Sequence, residues 1–116
     1  MHNDRYSELF ADDAELKDHR YVLQSQYLDL TQVELPALAK SNGWLIKHDH
    51  CFMRIILDQL FNDCWYNHLD RRLRAYKQLN NQQLKTAISL GRAIADQGEA
   101  ILNIWNRQSL QWRNKA

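Results

Sequence analysis

His50, Arg54 and Asp58 stand at four-residue intervals. On a helix that interval lines side chains along one face, with a drift of about forty degrees over the two steps. One helix edge would then carry an imidazole, a guanidinium and a carboxylate, with the Cys51 thiol beside them. Two uses fit this edge. In the first, Arg54 and Asp58 form a half-buried intrahelical pair that fixes neighbouring helices; exposed pairs at this spacing contribute only ~0.3–0.5 kcal/mol. In the second, the edge lines a pocket, where Arg54 holds a carboxylate or phosphate, Asp58 orients it and His50 transfers a proton. The first is the commoner fate of such spacing.

Other chemistry is weaker. Cys51, one residue from His50, could be a nucleophile activated by the first turn of a helix, but a cysteine beside Phe52 on an apolar helix is usually packing. His48, His50, Cys51, Cys64 and His68 are five zinc-type ligands within 21 residues. They contain no Cys-x₂-Cys pair and match no finger or ribbon, so no metal is expected. There is no phosphate loop, no Rossmann fingerprint, no His-Glu-x-x-His and no Gly-x-Ser-x-Gly, and no cofactor is expected.

A second feature follows directly. Trp65 and Tyr66 precede Arg71, Arg72, Arg74 and Lys77. Arginines neutralise phosphates and aromatic rings stack on bases, so this stretch is the best case for an anionic partner, nucleic acid or protein. The alternative is that the tryptophan anchors the core and the arginines form a solvated face. A pI near 7.8 is modest for a dedicated nucleic-acid binder. Charge is uneven along the chain: nine acids and five bases in residues 1–50, five acids and ten bases in residues 51–116. Either the basic half meets an anionic partner or the two halves attract each other.

These residues need elements to hold them. With 116 residues, 45% apolar composition, three glycines and one proline, the chain fits one domain whose scarcity of turn residues favours helices. The expected fold is all-α: an irregular bundle of four to five helices ending in a helical hairpin. Residues 1–20 read as a polar, partly mobile segment, and residues 21–116 as the helical domain. Tyr21–Leu30 is ambiguous between strand, arm and helix. A helix starting near Leu35, with Pro36 in its first turn, should stop at Asn42-Gly43, after which Trp44 folds back as an anchor. Asp49–Asn62 is the clearest helix, with Phe52, Ile55, Ile56 and Leu60 on its apolar face. Asn80 or Asn81 should cap a helix bearing Leu84, Ala87, Ile88, Gly91 and Ile94, with Gly91 permitting close contact. Gly98 should end it, and an antiparallel final helix should follow.

No run approaches the ~18 apolar residues of a membrane span, and the polar, acidic start lacks the features of a signal peptide. The expected location is the cytoplasm, with reduced cysteines and no membrane partner. A homodimer through the tryptophan-bearing last helix is an open alternative.

His50–Asp58 (HCFMRIILD), Trp65, Ala75–Leu79 (AYKQL) and Leu102–Arg113 (LNIWNRQSLQWR) resemble a family of small bacterial proteins, over roughly residues 30–113. Many of its members carry the label of GCN5-related acetyltransferase. The resemblance implies an acyl-transfer activity and brings no catalytic residues. Acetyltransferases of that type hold the CoA pyrophosphate on a glycine-rich turn at a helix N-terminus; Gly43, Gly91 and Gly98 are too far apart to build one. The expected function is therefore a small intracellular binding or regulatory protein that engages an anionic partner through Trp65, Tyr66, Arg71, Arg72 and Arg74. The alternative is a small enzyme using His50, Arg54 and Asp58.

Overall fold

Pro36 decides how the first half of the chain folds. The computed structural model describes the backbone of residues 4–114 and the side chains of residues 17–114. Helix α1 (Asp4–Asp29) does not stop before the proline. It passes through one π-helical turn, Leu30–Glu34, into α2 (Leu35–Asn42). Proline lacks an N–H and its ring crowds the carbonyl four residues earlier. The wider turn, in which the Leu35 N–H reaches back five residues to the Leu30 carbonyl, absorbs that conflict without breaking the rod. Tyr21–Leu30, ambiguous in sequence, is thus helical almost throughout. The backbone shows no boundary at residue 20; the side chains before Lys17, and with them the expected mobility of the first segment, lie outside the described residues.

Gly43 at φ 68 ends α2, and Trp44 turns back, 8% exposed, its ring edge-on to Phe52 at 6.5 Å. Helix α3 (Asp49–Phe61) buries Phe52, Ile55, Ile56 and Leu57, and ends at Asn62 in the left-handed conformation. A 3₁₀ turn, Trp65–Asn67, and the short α4 (Ala75–Gln78) lead to α5 (Asn81–Gln97). Asn80 caps α5 through a full capping box: its side chain accepts the Gln83 N–H at 2.7 Å, and the Gln83 side chain accepts the Asn80 N–H at 2.8 Å. Gly98, at φ 78, separates α5 from α6 (Glu99–Trp112).

Five helices of eight residues or more and one short one, with no strand among the described residues, make the all-α bundle that the composition implies. α3 packs on α5 and α6, and α1 packs along α5. Leu23, Tyr27 and Leu30, one stripe of α1 and the turn after it, enter the core with Leu35, Ile55, Ile56, Leu84, Ile94 and Leu102. Gly91 sits where α5 crosses the π turn. A Cβ there would collide with the Leu30 side chain and lie 3.4 Å from Ile56 Cδ1, so its role is close approach, as its place on the apolar face implies. Arg20 ties α1 to the turn before α5, donating to the carbonyls of Leu79 (2.7 Å) and Lys77 (3.0 Å).

Candidate functional site

The edge of α3 divides between two tasks. Asp58 faces inward and is fully buried. Its Oδ2 accepts the Ser109 hydroxyl at 2.6 Å and Arg113 Nε at 2.8 Å. Its Oδ1 accepts Arg113 Nη2 at 3.1 Å and the Trp65 N–H at 2.9 Å. Both ends of an arginine fork thus grip one carboxylate. Burial pushes the Arg113 guanidinium down, but its bonds to Asp58 and its contact with Tyr66 outweigh that and hold its pKa above the ordinary arginine value. Arg54 is not the partner of Asp58. Its Nη1 donates to Ser109 Oγ at 2.7 Å and its Nη2 to Asn106 Oδ1 at 2.8 Å. Ser109 therefore stands between them, accepting from Arg54 and donating to Asp58. The expected intrahelical pair is replaced by a network joining α3 to α6.

This network braces one wall of a cleft of about 520 Å³. Arg54 lies on that wall with Met53 and Leu57, and Asp49 and His50 stand at its mouth. Tyr27, Leu28 and Gln32 of α1 and the π turn form the opposite side. The connection from Trp65 to Tyr76 closes the third side, contributing Trp65, Tyr66, Arg71, Leu73, Arg74, Ala75 and Tyr76, and Arg113 completes the lining. Two stretches that read as separate features in sequence, the polar helix edge and the basic-aromatic turn, thus face one cavity. Four arginines border it against one acid, Asp49. Tyr66 carries two of these charges on its ring: the guanidinium carbon of Arg71 lies 4.2 Å from the centroid and that of Arg113 4.6 Å.

Arg72 is turned to a different use. It forks the Asp70 carboxylate with Nε and Nη2, both at 3.0 Å, and its N–H bonds the same group. The Gln78 amide brackets the Asp70 backbone, accepting its N–H at 2.9 Å and donating to its carbonyl at 2.8 Å. These bonds hold Asp70 ionised, its pKa below the usual carboxylate range chiefly through the Arg72 side chain. They also fix the turn from which Arg71 and Arg74 reach the cleft.

Of the residues singled out by sequence, His50, Arg54, Trp65, Tyr66, Arg71 and Arg74 line the cavity, while Asp58 and Arg72 do not. Asp58 has its oxygens filled by protein donors and is in no position to orient a ligand. His50 is peripheral, its side chain 77% exposed and its ring stacked on His48 at 5.5 Å. The zinc-type residues disperse: Cys64 is buried, and His68 bonds Asp63 at 3.1 Å and stacks on Phe61. Among the described residues no three His, Cys, Asp or Glu side chains gather to hold a metal. Sequence reasoning missed Arg113, Tyr27 and Tyr76. A signal for the first existed: Asn106, Ser109 and Arg113 repeat at helical spacing on an otherwise apolar final helix. No protein-family model, curated protein or solved structure matches the chain.

Proposed function

We propose that this is a small intracellular binding protein that engages an anionic partner at the cleft, with Arg71 and Arg74 meeting the charge and Trp65 and Tyr66 offering ring faces. One observation carries this: the polar edge of α3 and the turn after it converge on a single concavity bordered by four arginines and one carboxylate. Exposed arginines beside aromatic rings suit a single-stranded nucleic acid, whose phosphates and bases they meet together. Both cysteines are free thiols, which suits a reducing compartment. A labelled (dT)₂₀ strand tests the proposal by fluorescence anisotropy. Binding in 50 mM salt should weaken steeply by 200 mM, and Arg71→Ala with Arg74→Ala should flatten the slope of log K against log salt by about two. Arg72→Ala should change the slope little, since Asp70 already engages that charge. An absence of binding at 50 mM salt removes the nucleic-acid partner.

A second reading, a small enzyme of acyl-transfer type, is favoured only by the presence of His50 and Arg54 on the same cleft. It would use His50 as proton carrier and Arg54 as anion holder, without Asp58. Release of free CoA thiol from acetyl-CoA, abolished by His50→Ala, is its expected signature; no release by the unaltered protein sinks it.

A further inference from the structure

Arg54 is unlike the arginines at the cleft mouth. It is half-buried, and the hydrogen bonds it makes go to two neutral oxygens, Ser109 Oγ and Asn106 Oδ1. The nearby carboxylate that could neutralise it, Asp58, is occupied by Arg113, Ser109 and the Trp65 N–H. Buried charges are ordinarily paired, because desolvating an unpaired one is expensive. Arg54 thus remains a positioned cation with N–H groups to spare, since a guanidinium has five donors and two bonds are made. Its immediate surroundings on the wall are apolar: Met53 and Leu57 flank it on α3, and Tyr27 and Leu28 face them from α1.

We infer that the inner part of the cleft is a subsite for a compact aromatic carboxylate, its carboxylate forked by Arg54 and its ring body lying on Met53, Leu57 and Leu28. The chemistry favours a carboxylate because a planar guanidinium matches its two oxygens in one plane. It favours an apolar aromatic body because the inner walls offer carbon and ring faces and few groups to read polar edges. A volume of about 520 Å³ is in the range of sites that enclose a small molecule. The inference goes beyond capture of a polyanion, which depends on Arg71 and Arg74 at the mouth.

The probe is 2-naphthoate, with 2-naphthamide as its neutral counterpart, titrated into the full chain and followed by backbone amide NMR. A ligand of this size should bind with a dissociation constant of about 1 mM or tighter. Naphthoate should shift the amides of Met53, Leu57 and Leu28, and naphthamide should bind at least tenfold more weakly. Arg54→Lys, which keeps the charge and loses the fork, should weaken naphthoate about tenfold. Met53→Trp fills the inner cleft without touching Arg54 and should abolish the shifts, so the inference stays testable if Arg54 variants fail to fold. Equal binding of acid and amide, or naphthoate shifts that survive Met53→Trp, would overturn it. Neither result bears on (dT)₂₀ binding through Arg71 and Arg74, so failure of the subsite and failure of the polyanion site are separately visible.

Discussion

Asp58 and Arg113 lie 55 residues apart in sequence and touch through two bonds. The carboxylate is fully buried and the arginine side chain 12% exposed, so each is the other's principal compensation for lost water. Removing one partner strands the other. Asp58→Asn should therefore cost about 3 kcal/mol in urea denaturation, and Arg113→Met a similar amount, while the double variant should lose clearly less than the sum. Additive losses would mean that the pair is not coupled. The chain shows Asp58 four residues after Arg54, and spacing alone makes that the expected pair. What spacing cannot show is that Ser109 intervenes and that a fork from the end of the last helix arrives first. The same limit applies to Arg71 and Arg72: adjacent and chemically identical, they are separated in role only by where Asp70 lies in the folded turn.

Helices are legible where a local rule suffices and obscured where two rules compete. The Asn80 capping box, the stops at Gly43 and Gly98 and the stripe on α3 all follow from residues within a few positions of one another. Pro36 is the counterexample. Read locally it begins a helix, and α1 should end before it. The π turn lets both statements hold approximately, because Pro36 does lie in the first turn of α2 while the rod continues through it. Gly91 joins the two levels, since its place on the apolar face of α5 implies close contact, but only the fold names Leu30 as the neighbour. Gly91→Ala should lower stability by about 1–3 kcal/mol despite the better helix propensity of alanine. Leu30→Ala should cost less in that background than in the unaltered protein, because it removes the colliding side chain. If thermal melts show the two changes to be independent, the contact is not what requires glycine.

At the scale of the molecule, the uneven charge of the two halves has an outcome. Among the described residues one ion pair crosses between them, Glu34 with Arg92 at 2.7 Å, while Arg54, Arg71, Arg74 and Arg113 gather at the cleft. The basic half is therefore disposed more toward a concavity than toward pairing with the acidic half. Stability on the acid side should follow the carboxylates that the fold holds ionised. Glu34 is lowered chiefly by its bond from Arg92, Asp63 by its bond from Asn67, and Asp70 by its bond from Arg72. A carboxyl whose folded pKa lies below its unfolded value, near 4, binds fewer protons when folded. Its contribution is complete above the unfolded value and is lost as pH falls through the folded one. The urea midpoint should thus stay level from pH 7 to about pH 5, then fall as pH drops below about 4. Asp70→Asn and Glu34→Gln should each lower the neutral-pH midpoint slightly and flatten the acid decline, since the substituted side chain has no proton to gain. A midpoint that is level down to pH 3, or a decline unchanged in both variants, would place the acid sensitivity elsewhere in the chain.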